Sequence, residues 1–186
     1  FALADDPFVV EIMIPLVSAM REVELVKSQI DAIAAAVRAE LNVDFAYRLG
    51  VMVETPRAAL RAEDIAQHAS FLSFGTNDLT QMTYGLSRDD AGRFMSAYVQ
   101  QGVYEEDPFH TLDVEGVGEL LSIGAERGRK GRPEVVLSLC GEHGGSRTAI
   151  AFCRKQGFDY VSCSPFRVPA ARLSAAQLAI ADKMQP

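Results

Sequence analysis

The stretch Phe71-Leu72-Ser73-Phe74-Gly75-Thr76-Asn77-Asp78-Leu79-Thr80-Gln81 decides how the rest of the chain is read. Its first half is short, apolar and bounded by turn residues, which is how a strand buried on both faces reads. It then changes abruptly to Gly, Thr, Asn and Asp. A carboxylate just past a buried strand has fixed backbone beneath it and open space above. In α/β folds, chemistry gathers there, at the carboxyl ends of parallel strands.

Two other runs share this grammar. Leu49 to Glu54 is apolar and ends in a carboxylate followed by Thr55-Pro56. Val135 to Cys140 is apolar and ends in a thiol followed by Gly141-Glu142-His143-Gly144-Gly145. Three strand ends thus offer Glu54, Asp78 and Cys140. The working expectation is that they converge on one site, with two oxygen ligands for a divalent cation and one proton donor.

Read in order, Phe8 to Val17 is a strand stopped near Pro15, and Ser18 can cap the helix that follows. Val23, Val26, Ile30, Ile33 and Val37 recur at helical spacing and predict an amphipathic helix lying on a sheet. Thr55-Pro56 opens a helix towards Ala69, broken near Ala62 to Asp64. After a Gly75–Asp78 loop, Leu79 to Tyr84 turns as helix. Leu86 to Pro108 is irregular and acidic, with a helix from Gly92 to Gln101. Asp113 to Arg127 is helical. Ser146 caps a helix to Lys155, with Gly157 at its end. Tyr160 to Ser164 is a short strand and Pro169 to Lys183 a final helix.

Roughly five β/α units in strict alternation imply a parallel sheet with helices outside it. Continuous apolar strands suit a barrel and a doubly wound sheet equally. A complete eight-fold barrel needs about 250 residues, more than the 186 present. A barrel built from this chain would be partial, and the opening at Phe1 without Met reads as a piece of a longer polypeptide.

A net charge of −7 without a basic block argues against a nucleic-acid or anionic-membrane partner, since binding phosphates needs clustered Lys and Arg. The locally basic run Gly124 to Arg132 reads as a solvated helix end. Three cysteines without regular spacing suggest neither a disulfide framework nor a zinc site, and a reducing, cytoplasmic or organellar, compartment is the simpler reading. No apolar run is long enough to span a membrane.

Each residue also has a plainer reading. Glu54 and Asp78 could be a helix cap or an ion-pair partner; magnesium, however, takes one or two carboxylates and fills its shell with water and substrate oxygens. Asn77 adds an amide that could bind a substrate oxygen, and Gly75 and Thr76 supply backbone N–H groups. Cys140 alone could be a small buried hydrophobe, but its strand-end position favours chemistry. Cys153 and Cys163 read as core. His143 could orient the substrate or the thiol, or merely hold a loop. The Gly144-Gly145-Ser146 turn could hold an anion.

Four segments, Gly50 to Leu60, Gly75 to Gly85, Cys140 to Gly145 and Tyr160 to Pro169, together resemble the phosphoenolpyruvate-utilising enzymes. Within that family they look closest to the C-terminal domain of the pyruvate, phosphate dikinases. One departure is Ser146-Arg147, where the family usually has Asp-Pro. The resemblance implies a (β/α)8 barrel of the TIM type, of which residues 1–186 would be the C-terminal part. It implies binding of pyruvate or phosphoenolpyruvate with Mg2+ held by Glu54 and Asp78. Gly75, Thr76 and Asn77 would line the substrate pocket, with Ser73 beneath. Cys140 would be the general acid/base. The phosphohistidine and nucleotide domains lie outside this stretch, and a homodimer is expected. Three alternatives remain open: a phosphoenolpyruvate synthase-like paralogue, a magnesium-dependent lyase barrel that makes a pyruvate enolate by carbon–carbon cleavage, and a non-catalytic dimerisation scaffold.

Overall fold

A computed structural model describes residues 9–184. In chain order the elements are β1 (Val10–Ile14), α1 (Met20–Leu41), β2 (Tyr47–Val53), α2 (Pro56–Leu60), α3 (Ala62–Ala66) and β3 (Phe71–Gly75). Then come α4 (Thr76–Tyr84), α5 (Arg88–Ala91), α6 (Met95–Gln100), α7 (Val117–Gly131) and β4 (Val136–Cys140). The chain closes with α8 (Arg147–Gln156), β5 (Tyr160–Val161) and α9 (Val168–Met184). Two 3-10 turns, Glu142–Gly145 and Pro165–Arg167, precede α8 and α9.

The strand order is β1-β2-β3-β4-β5, and every pair is parallel. This order separates the two architectures that apolar strands leave open. A doubly wound sheet reverses direction at a switch point. Here each strand adds to the same side as the last, as the staves of a barrel do. The fold is α/β, a partial barrel of the (β/α)8 type.

Neighbouring side chains on a strand face opposite ways. Val51, Leu72 and Leu137 share one level, and Val53, Phe74 and Leu139 the next. All six are fully buried and face the helices. A Cβ at Gly124 of α7 would stand 2.6 Å from the Phe74 ring, and one at Gly128 would stand 2.8 Å from Leu72. The opposite, inner face is layered. Gly50, Phe71 and Val136 form one level, Met52, Ser73 and Ser138 the next, and Gly75 pairs with Cys140 above them. Glu54 directly follows Val53, the partner of Phe74, and so falls on the Gly75–Cys140 level.

Several boundaries differ from the sequence reading, each for a local reason. β1 ends at Ile14 rather than Val17, because Pro15 cannot donate to the ladder and Leu16 turns with φ 49°. Phe8, its expected first residue, lies outside the described residues. Ser18 is not the cap of α1; the Glu22 carboxylate accepts the N–H groups of Ser18 and Ala19 at 2.7 and 3.1 Å. Ile33 points outward and Ala34 is buried instead, since the packed stripe runs through Val23, Ile30 and Ala34. The break after α2 falls at Arg61. Of the helix expected from Gly92 to Gln101, only α6 forms, starting at Met95; α5 ends just before the expected start, at Ala91, and a small core of Ala91, Met95 and Phe109 holds the segment. α7 starts at Val117, after the Asp113 carboxylate has taken the N–H groups of Glu115, Gly116 and Val117. β5 spans two residues rather than five. The basic helix end is not merely solvated: Arg129 donates to the carbonyls of Gln156 and Gly157, and Lys130 pairs with Glu63 at 2.9 Å.

α7 packs closely on α2 and α3 because small residues meet there. Ala58, Ala59, Ala62 and Ala66 are fully buried, and a Cβ at Gly131 would stand 2.0 Å from the Glu63 carbonyl oxygen. That oxygen is backbone and cannot swing aside. Gly131→Ala is therefore expected to cost about 1–3 kcal/mol in overpacking. The intrinsic helix preference for Ala over Gly, worth at most about 1 kcal/mol, offsets only part of this. A lowered urea midpoint checks it.

Candidate functional site at the strand ends

The three expected residues do gather at one end of the sheet. Glu54 is 4% exposed, and its Oε1 accepts the Leu16 N–H at 2.8 Å. The left-handed turn after β1 thus serves to aim an N–H at this carboxylate. Next to it stands Gly75, where a Cβ would lie 2.9 Å from Glu54 Oε2 and 3.0 Å from Glu54 Cβ. On the far side of Gly75, and level with it, is Cys140.

The Gly75–Asp78 stretch expected as a loop is a direct passage from strand to helix, since α4 begins at Thr76. Asn77 and Asp78 therefore sit in the first turn of α4, where free N–H groups favour negative charge. Asp78 Oδ1 accepts from Gln81 Nε2 at 2.9 Å. The Thr76 hydroxyl donates to the Cys140 carbonyl at 3.0 Å, and Asn77 Oδ1 accepts the Glu142 N–H at 3.1 Å. These two side chains tie the end of β3 to the end of β4. The Asn77 oxygen is thus engaged with the protein, and its amide nitrogen is the part left for a ligand. Gly141 follows Cys140 with φ 107°, and a Cβ there would meet Thr76 Oγ1 at 2.6 Å.

Electrostatics set Glu54 and Cys140 apart from ordinary surface groups. Burial pushes the Glu54 carboxyl above the usual carboxylate range. The Leu16 bond pulls it back, and the neighbouring Asp78 carboxyl, by charge and a shared hydrogen bond, raises it further. Burial likewise pushes the Cys140 thiol up; the Ser73 hydroxyl, donating to Sγ at 3.5 Å, works against that, and the Glu54 charge adds to it. The thiol in turn faces the Phe74 carbonyl at 3.5 Å. Cys140 is half-buried, whereas Cys153 lies in the core.

The neighbouring Asp78 charge that raises the Glu54 carboxyl is also the charge that a divalent cation between the two would offset. Among the described residues no group of three or more His, Cys, Asp or Glu gathers for a metal. A cation held by Glu54 and Asp78 would complete its shell with water or substrate oxygens, and that suits magnesium rather than zinc. The donor set fits the ion expected from the sequence.

The structure also brings up residues the sequence reading passed over. Arg88, within the acidic 86–108 segment, lies 3.7 Å from the Glu142 carboxylate at the rim. Arg167 donates to the Glu142 carbonyl at 2.6 Å. It lines a cavity of about 250 Å3 with Gly141, Glu142, Ser162, Cys163 and Ser164. Cys163, expected in the core, is half-buried beside this cavity. Only folding brings these groups together, and no local pattern marks them. His143 is fully buried, and its Nε2 lies 3.0 Å from the Pro108 carbonyl. That contact ties the loop after Cys140 to the acidic segment and assigns the ring proton to Nε2. Burial depresses its pKa and keeps it neutral. The Gly144-Gly145 turn is not an open anion cradle: Cβ atoms there would meet the Ser162 carbonyl oxygen at 2.2 Å and the Arg167 stem at 2.9 Å. A roomier cavity, about 530 Å3, lies between Tyr84, Tyr104, Asp113 and Thr148 and shares no residue with this site.

The family described as PEP-utilising enzyme, PEP-binding domain, matches residues 3–180. This chain belongs to that family. The chain is 57% identical to pyruvate, phosphate dikinase of Rhizobium meliloti over 170 residues, covering 91% of this chain and 19% of that protein. It is 53% identical to the dikinase of Clostridium symbiosum, covering 93% of this chain and 20% of that one. Against pyruvate, phosphate dikinase 2 of Zea mays it is 52% identical, covering 91% and 19%. The chain thus spans about a fifth of the length of these curated relatives. Among solved structures, a citrate lyase from Burkholderia xenovorans superposes with a TM-score of 0.59 at 18% identity, covering 95% of this chain and 55% of that one. This likeness is one of fold. No helix among the described residues is long and apolar enough to cross a membrane.

Because its folded carboxyl is raised, Glu54 contributes stability that is fully present below its unfolded pKa. That contribution is lost as pH rises through the folded value. Glu54→Gln keeps an acceptor for the Leu16 N–H and removes the buried charge. In a chelator at pH 7 it is expected to raise the urea midpoint. The gain is expected to shrink as pH falls towards the ordinary glutamate value, about 4.3.

Proposed function

We propose that this chain is the pyruvate- and phosphoenolpyruvate-binding part of a dikinase that converts ATP, phosphate and pyruvate to AMP, diphosphate and phosphoenolpyruvate. A phosphohistidine on another domain of the longer chain would carry the phosphoryl group. The observation that carries this reading is the single level of Glu54, Gly75 and Cys140, with Asp78 against Glu54. It sets a carboxylate pair and a thiol on either side of a residue without a side chain, in a chain of this family.

Phosphoenolpyruvate would lie over Gly75, its oxygens towards Glu54 and Asp78 and its methylene carbon towards Cys140. Held by the two carboxylates, Mg2+ would supply Lewis-acid relief of the negative charge on the enolate oxygen. The Asn77 amide nitrogen is placed for a substrate oxygen, and the Gly75 and Thr76 backbone lines the floor. Transfer of the phosphoryl group to the histidine leaves the enolate of pyruvate. Cys140 then gives its thiol proton to the methylene carbon, forming the methyl group and leaving a thiolate. Ser73, already donating to Sγ, stabilises that thiolate. In the reverse direction the thiolate takes a methyl proton and the enolate oxygen attacks the phosphohistidine. The raised thiol pKa suits this role, since a proton held until the enolate forms is not lost to solvent. Arg167, whose hydrogen-bond partner is a neutral carbonyl, would add positive charge at the rim for an anionic substrate.

Phosphoryl transfer needs the histidine, which lies outside these residues. The 186-residue chain alone is therefore expected to form no phosphoenolpyruvate from pyruvate and ATP in a coupled assay, and turnover there would overturn the reading. In a dikinase-length protein, Cys140→Ala is expected to lower pyruvate formation by about 10²- to 10⁴-fold, while Mn2+-dependent binding of oxalate, an enolate mimic, persists.

Among the described strands, β1 pairs with β2 alone and leaves its other edge open. Exposed strand edges recruit partners. The isolated chain is expected to form dimers or larger species in sedimentation; a monomer at high concentration would count against this.

A further inference from the structure

Gln81 lies one turn beyond Asp78 on α4, half-buried, and both ends of its amide are engaged. Its Nε2 donates to Asp78 Oδ1 at 2.9 Å, and its Oε1 accepts the Arg88 backbone N–H at 2.8 Å. A backbone N–H can only donate, so the oxygen of the amide must face Arg88 and the NH2 must face Asp78. The amide cannot flip. The links continue past Arg88, whose side chain pairs with Glu142 at 3.7 Å, while the Glu142 N–H returns to Asn77 Oδ1 at 3.1 Å. Asn77 and Asp78 are neighbours, so the path closes into a ring around the mouth of the site.

We infer that Gln81 is a positioning residue for the cation site: locked by the Arg88 N–H, it holds Asp78 Oδ1 and fixes how the carboxylate is presented beside Glu54. This rests on the reading of Glu54 and Asp78 as the metal pair. A Gln–Asp pair three apart on a helix contributes only about 0.2–0.5 kcal/mol to helix stability. Stability alone therefore gives a weak reason for the double engagement, whereas orientation of a ligand's oxygen gives a strong one. Partners that orient metal ligands commonly change affinity by about 10- to 100-fold when removed.

The test uses Mn2+ as the probe, titrated into this chain with oxalate present and followed by loss of the free-ion EPR signal. Gln81→Met, similar in length but without donor or acceptor, is expected to weaken Mn2+ binding by about tenfold or more. Arg88→Pro removes the N–H that locks the amide, at the first position of α5, where Pro is tolerated. It is expected to bind Mn2+ more weakly than Arg88→Ala, which keeps that N–H. The Arg88 pair decides the matter should Gln81→Met fail to fold. Glu54→Gln and Asp78→Asn are titrated alongside. If those two weaken binding while Gln81→Met binds as the parent does, or Arg88→Pro matches Arg88→Ala, the inference about Gln81 is wrong and the metal pair stands. If Glu54→Gln and Asp78→Asn leave binding unchanged, the metal reading fails and takes the inference with it.

Discussion

The site depends on the missing side chain at Gly75. Glu54 fills the space that a Cβ at this position would need, with Oε2 at 2.9 Å and its own Cβ at 3.0 Å. With any larger residue there, Glu54 would be pushed off the N–H of Leu16, and the gap between carboxylate and thiol would close. Parallel strands lie about 4.8 Å apart. Glu54 and Cys140 are therefore separated by two strand spacings, with only backbone between them. That is room for a three-carbon acid and little more.

This constraint explains features that look unrelated along the chain. The left-handed turn at Leu16 puts a donor on Glu54. The immediate start of α4 places Asp78 where helix N–H groups favour its charge, and next to Glu54. The inner layer beneath, Met52, Ser73 and Ser138, is partly polar where the helix-facing layer is wholly apolar. Of these, Ser73 touches the sulfur. A fully apolar layer would bury the thiol without this hydrogen-bond donor.

The site is stable only at a cost. Two carboxyls held together raise the energy of the folded chain at neutral pH, and burial of Glu54 adds to that. The large apolar layer between strands and helices offsets it, with Leu72, Phe74, Leu137 and Leu139 wholly out of water. The 85–116 segment has its own small core around Met95 and Phe109 and is joined to the site through His143 and Arg88. Its acidic surface hid a structural attachment that composition alone presents as loop.

Alternation of apolar runs with helical patterns determined, from sequence alone, that the sheet is parallel and that Glu54 and Cys140 stand at strand ends with Asp78 just beyond one, because strand direction places every carboxyl end on one side. Turn chemistry also determined local details, such as Ser146 capping α8 and Gly157 ending it. The strand order was decided only by tertiary structure, since buried strands read alike in a barrel and in a doubly wound sheet. So were the register that levels Glu54 with Cys140, the choice of Ala34 over Ile33 as a packed face, and the arrival of Arg88, Arg167 and Gln81 at the mouth. Those depend on pairings between residues far apart in the chain, and a local pattern carries no record of which distant backbone it will meet.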